Sequence, residues 1–252
     1  MKVLIAPNNF KESIDAYEAA KAIERGLLAA SKGHDVTCLP LSDGGEGFVK
    51  AMVNALKGKL RYCQVSDPLG REIESYYGHL SDRTAVIEMA LASGLELLNE
   101  SEKNPLITTS YGTGELIKQA IDQGYKHIIV GLGGSATNDG GTGMLQALGV
   151  KFYDSANRLI NYLGGNEMNS IKRIETDELK DNILGVSFTI ACDVTNPLLS
   201  VQVATYIYGP QKGANQQMLK TLEKGMYNFA NTTQKTLKID YRDKPGSGAA
   251  GG

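Results

Sequence analysis

Apolar and polar positions along this chain follow two periods. Residues 2–6 form a short apolar run that stops at Pro7 and reads as a buried strand. Ile14, Tyr17, Ala20, Ile23, Leu27 and Leu28 then recur at helical spacing, and Ser13 before them is of a type that caps helices. Residues 34–41 read as a second strand and residues 46–56 as a second helix. A strand–helix–strand–helix opening predicts a parallel sheet, whose ligands bind beyond the carboxyl ends of the strands. The pattern then changes. Residues 60–65, 72–80 and 84–89 read as strands with a turn at 66–70, an antiparallel excursion in place of another strand–helix–strand unit. Thr113 is expected to cap a helix over 114–122. A strand follows at 127–130, a helix at 143–148, a strand at 185–191 and a long helix at 216–235. No internal repeat is found.

The most informative stretch lies between that strand at 127–130 and the next helix. Gly131, Gly133, Gly134, Gly140 and Gly141 fall within it, with Ser135, Thr137, Asn138 and Asp139 among them. A strand, a glycine-rich loop and a helix N-terminus together make a cradle for an anion. Residues without side chains let main-chain N–H groups approach a phosphate, and the helix dipole favours negative charge there. The plainer reading is a connector between strand and helix. The number of glycines and small polar residues exceeds what a connector needs. The motif G-x-x-x-x-G-K-[ST] is absent, so this is no ordinary P-loop.

Composition narrows the class. The 252 residues carry a formal net charge of −2, which gives no basic face for nucleic acid or an anionic membrane. Three cysteines, 38, 63 and 192, are widely spaced without C-x-x-C, so neither a zinc knuckle nor a disulfide framework is expected, and a reducing, cytoplasmic compartment is. No stretch has the length and apolarity of a membrane span or a signal peptide. His34, His79 and His127 form no cluster, which argues against a histidine base or a zinc site.

Taken together, the motifs resemble the bacterial glycerate kinases of the first type. The stretches that carry the resemblance are residues 5–13, 41–47, 67–70, 86–97, 108–117, 131–149, 191–198 and 208–214, in order and across essentially the whole chain. The resemblance implies an α/β fold: a Rossmann-like parallel-sheet domain with a second α/β domain inserted in it, and an active cleft between them. The expected division is 1–64 plus 246–252 for the first domain and 65–245 for the insert. It implies phosphorylation of D-glycerate by ATP with Mg²⁺, at position 2 ahead of position 3.

Phosphoryl transfer asks a protein for positioning, a metal and charge stabilisation. Gly133, Gly134, Ser135 and Asn138 are therefore expected to cradle phosphate, with Gly44 and Gly45. Asp43 and Glu46 are candidates for Mg²⁺, since hard oxygen ligands on a glycine turn suit that ion. Asp43 and Asp193 are candidates for the base that accepts the hydroxyl proton, and which carboxylate takes which role is left open. A turn with a helix-capping Glu at 42–47 and an Asx turn before Pro197 are the plainer readings of these stretches. Lys11 and Ser13 are expected to hold a carboxylate or phosphate, and Lys212 to neutralise a phosphate. The plainer reading of each lysine is a solvated side chain.

Two departures from the family pattern stand out. Residues 199–202 differ from the family's usual loop. Family members also continue well beyond the position of Gly252, returning to complete the first domain. The expectation from this second departure is an incomplete kinase, from a fragment, a premature stop or a split gene, weakly active or inactive as isolated. It would bind nucleotide or glycerate, self-associate as a homo-oligomer through an uncovered sheet edge, or assemble with a separate C-terminal polypeptide. A different small-molecule kinase on the same scaffold is the competing enzyme reading.

Overall fold

The computed structural model describes residues 1–10, 13–31, 33–81, 83–162, 164–199 and 204–252. The candidate Lys11 and most of the departing loop at 199–202 lie outside them. In chain order the elements are β1 (Lys2–Ile5), α1 (Ala16–Ala30), β2 (Asp35–Cys38), α2 (Phe48–Ala55), β3 (Lys59–Ser66), β4 (Glu72–Ser81), β5 (Thr84–Glu88), α3 (Ala90–Ser93), α4 (Tyr111–Asp122), β6 (His127–Gly131), α5 (Thr142–Ala147), β7 (Lys151–Tyr153), β8 (Arg173–Glu175), α6 (Asp177–Asn182), β9 (Ser187–Ala191), α7 (Ala204–Tyr208) and α8 (Gln216–Leu237). This is a mixed α/β fold.

The opening strand–helix–strand unit forms as expected: β1 pairs with β2 in parallel. The centre is a five-stranded sheet of order β3-β4-β5-β6-β9. The β3–β4 and β4–β5 pairs are antiparallel, which is the expected excursion, and the β5–β6 and β6–β9 pairs are parallel. Strand β3 runs across the expected domain boundary at 64/65.

Helices cover both faces of that sheet, which explains why β5 reads as an unbroken apolar run. On one face Leu116, Ile117 and Ala120 of α4 pack on Ala85, Ile87, Ile128 and Val130. On the other, Phe48, Val49 and Val53 of α2 pack on Val86. A separate cluster joins Phe152, Ile174 and Met168 to Met226 and Phe229 of α8.

Several local expectations are corrected. Helix α1 is capped by Asp15, whose carboxylate accepts the Glu18 N–H at 2.8 Å, and not by Ser13. Thr113 lies inside α4, buried, with Oγ1 2.8 Å from Ser93 Oγ. The apolar stripe on α1 is only partly covered: its Ala20 is buried, but Tyr17 is 43 %, Ile23 44 % and Leu28 40 % exposed, and the other buried positions are Ala16 and Ala19. Strand β9, at the end of the described sheet, exposes Phe188 and Ile190. Among the described residues no helix is long and apolar enough to cross a membrane, and the three cysteines are free.

Candidate functional site

The parallel strands end together. At the carboxyl ends of β5, β6 and β9 lie Glu88, the glycine-rich loop and Asp193, and the 42–47 loop that follows β2 is laid across them. The two glycine loops touch through bare backbone. A side chain on Gly133 would stand 2.6 Å from Gly45 Cα, one on Gly44 would strike the Ala191 carbonyl, and one on Gly131 would meet Phe48. Part of the glycine signal in the sequence therefore serves close packing of loop on loop.

A cleft of about 300 Å³ opens where these loops meet. It brings together Asp43, Gly45, Glu46, Gly133, Gly134, Ser135, Asp193 and Lys212 of the expected residues. Gly44 lies buried just behind it. Ser13 lines a neighbouring cavity of about 410 Å³, which shares Asn9 and Glu46 with the cleft. Asn138 does not reach the cleft. It is fully buried, and its Nδ2 donates to the Gly251 carbonyl.

Only the first part of the glycine-rich loop lines the cleft. Leu132 N–H is spent on the Ala191 carbonyl and Ala136 N–H on that of Ser93. Between them, the N–H groups of Gly133, Gly134 and Ser135 are bonded to no other described residue. Gly134 takes φ +66 and is exposed. Consecutive amides with a left-handed residue among them form an anion-binding concavity.

The second part of the loop is closed by Asp139. Its carboxylate is buried and accepts from Ser110 N and Oγ, both at 2.8 Å, from Gly141 N at 3.1 Å and from Gly143 N at 3.3 Å. Burial raises its pKa against the pull of those bonds. Asp139 ties the loop to the start of α4 and α5, so it is not placed to meet a metal or a substrate hydroxyl. Gly140 is likewise packed, against Phe229.

The carboxylates at the cleft differ in surroundings. Asp43 and Asp193 are exposed. Asp43 Oδ1 accepts the Gly45 N–H at 3.0 Å, an Asx-type turn that shapes its loop. Lys212 is only 1 % exposed, and burial pulls its pKa down to about 7, with Asp139 acting in the opposite direction. Among the described residues no three His, Cys, Asp or Glu side chains form a group that could hold a metal ion. Asp43 and Glu46, as a pair on one loop, still fit Mg²⁺, which takes one or two carboxylates together with substrate phosphates.

Sequence reading missed two residues that shape this site. Asn9 bridges two elements: Oδ1 accepts the Ala16 N–H at 2.7 Å, and Nδ2 donates to the Glu46 carbonyl. Glu88 caps α2 from the end of β5, accepting from Gly47 N at 2.9 Å and Val49 N at 3.0 Å. A charged residue closing an apolar strand was the signal available for Glu88. Burial pushes its carboxyl up to about 7, against those two amide bonds.

Glu88 therefore makes stability pH-dependent. Between the ordinary glutamate value and about 7, the folded chain keeps a proton that the unfolded chain releases. Its contribution falls as pH rises through that window. Glu88→Gln is expected to remove that fall, changing the variant-minus-parent unfolding free energy by about 3 kcal/mol from acid to neutral pH. Loss of one acceptor adds a pH-independent cost of about 1 kcal/mol. Denaturant titrations across that range check it, and a constant difference would contradict it.

The chain is similar to known proteins along its whole length. The model of the Glycerate kinase family matches residues 3–252. A glycerate kinase of Haemophilus influenzae is 48 % identical over the whole chain, which spans 67 % of that relative. The glycerate 2-kinase of Escherichia coli K12 is 46 % identical, with 66 % of its length spanned. The crystal structure of a proposed glycerate kinase 2 from Salmonella typhimurium LT2 superposes with a TM-score of 0.88 at 45 % identity, covering all of this chain and 67 % of that one. The chain thus spans about two thirds of the length of the relatives it matches.

Proposed function

Because the chain belongs to the glycerate kinase family, we propose that it carries the phosphoryl-transfer centre of an ATP-dependent D-glycerate kinase acting on the 2-hydroxyl. The observation that carries this reading is the set of three consecutive main-chain N–H groups, at Gly133, Gly134 and Ser135, bonded to no other described residue and beside a cleft that also holds carboxylates. The 2-position rests on the similarity to the Escherichia coli relative.

The roles follow from placement. The amides at 133–135 receive the charge of the transferring phosphoryl group, in an arrangement already built before substrate arrives. Asp193, on the loop after β9, takes the proton of the attacking hydroxyl. Asp43 and Glu46 are the pair placed for Mg²⁺, which when bound supplies charge neutralisation to the phosphates. The 42–47 loop, held by Asn9 and Glu88, keeps that pair against the glycine-rich loop.

Purified chain incubated with D-glycerate, ATP and Mg²⁺ tests the reading by product analysis of phosphorus spectra. Appearance of 2-phosphoglycerate and ADP is the expected result. A panel of hydroxy acids in which another is phosphorylated and D-glycerate is not would overturn the substrate. Nucleotide binding without any transfer would leave a ligand-binding protein in place of a kinase.

A further inference from the structure

Lys212 borders the cleft yet is enclosed, and two separate stretches of chain, the glycine-rich loop and the segment at Ala250, meet at its ammonium. Nζ donates to Ser135 Oγ at 2.9 Å and to the carbonyls of Thr137 and Ala250. An ammonium has three N–H donors, so all of them are used on protein oxygens. Ser135 Oγ in turn donates to the Ala250 carbonyl at 2.7 Å.

The surroundings are shaped to this arrangement. Gly213, at φ +90, turns the chain immediately after Lys212. Gly251 lies against the amine, where a side chain would stand 2.6 Å from Nζ. Ala250 takes the left-handed region at φ 58, uncommon for a residue with a side chain, and its carbonyl meets the ammonium. An apolar side chain of the same length would fill this space without the cost of burying a charge. The amine is explained by the oxygens it gathers.

We propose that Lys212 is a positioning residue: by holding Ser135, Thr137 and Ala250 together it fixes the main chain at 133–135 in the conformation that receives phosphate, without touching the phosphate itself. The inference rests on the reading of that loop as the phosphate cradle. It differs from the expectation that this lysine neutralises a phosphate directly.

Two readouts separate the inference from its premise. The first needs no nucleotide. In Lys212→Met the two bonded amides that flank the cradle, those of Leu132 and Ala136, are expected to exchange with solvent at least about 10-fold faster, with those of β6 and α8 unchanged; Ser135→Ala, which removes one of three partners, shows a smaller change of the same kind. The second is ATP affinity measured on folded protein. Each variant is expected to bind ATP about 10-fold or more weakly, and the double variant no more weakly than Lys212→Met alone, as coupled residues do. Where turnover is measurable, KM rises for ATP and not for glycerate. If the parent chain binds no ATP, the cradle reading fails and takes the proposal with it. If the parent binds ATP, then unchanged exchange, unchanged affinity, or losses that add in the double variant overturn the proposal alone. Should Lys212→Met not fold, Ser135→Ala decides: parent-like exchange and affinity overturn it.

Discussion

Asp43→Asn is expected to lower the turnover of glycerate phosphorylation by about 100- to 1,000-fold, with a cost to stability of about 1 kcal/mol or less. The asymmetry comes from where the side chain sits. Asp43 is exposed, and its Oδ1 accepts the Gly45 N–H. The amide oxygen of Asn accepts that bond equally well, so the loop is retained. What is lost is a negative charge at the cleft, where a hard cation would be held beside phosphate. Raised Mg²⁺ is expected to restore part of the rate, because the weakened site is refilled by mass action. A fully active variant would remove Asp43 from the mechanism. A slow variant indifferent to Mg²⁺ would move it from metal binding to the proton transfer assigned to Asp193.

Gly134→Val is expected to abolish measurable ATP binding, a loss of at least about 100-fold, and to destabilise the fold by about 1–3 kcal/mol. Gly134 holds φ +66, a conformation a β-branched residue scarcely adopts. Its new Cβ would also lie 3.3 Å from both Ala90 Cβ and Glu46 Oε1. Strain alone does not account for lost affinity, and Gly124 supplies the control. It too is left-handed, at φ +91, but a Cβ there would meet nothing within 4 Å, and it precedes β6, at the end opposite the glycine-rich loop. Gly124→Val should therefore cost comparable stability and leave ATP affinity unchanged. Equal affinity in both variants would place the phosphates away from residue 134.

The sequence showed most of the elements that have a long or clean period. The unbroken apolar run of β5, the antiparallel β3–β4 excursion and the 22-residue α8 are all legible, because burial on two faces or on one stripe writes a strong pattern. The three-residue strands β7 and β8 are too short to show a period. Caps were read wrongly where two polar residues compete. Ser13 and Asp15 both suit a helix start, and the backbone turn closed by Phe10 and Ile14 gives the position to Asp15. The α1 stripe shows the converse limit. Helical spacing of Tyr17, Ile23 and Leu28 fixed the helix but not what covers that face.

For the site, motif types on loops after parallel strands marked Asp43, Glu46, Asp193 and glycines that the fold brings to one cleft. What stayed hidden were side chains whose role depends on three-dimensional closure. Asn138 reads as a donor beside glycine, yet it is turned inward to the Gly251 carbonyl. Asp139, one of the polar residues among those glycines, is consumed by four protein donors. Asn9 and Glu88 join elements distant in sequence, and no local spacing announces such bonds.

The central claim is that uncommitted main-chain amides, and not a lysine, receive the nucleotide's phosphates. A crystal structure of the chain with a non-hydrolysable ATP analogue and Mg²⁺ tests it most directly. The account predicts phosphate oxygens about 2.7–3.2 Å from the nitrogens of Gly133, Gly134 and Ser135, with Lys212 still bonded to Ser135 and Ala250. A triphosphate seated elsewhere, or one bonded to Lys212 Nζ while those three amides stay unbonded, would contradict it.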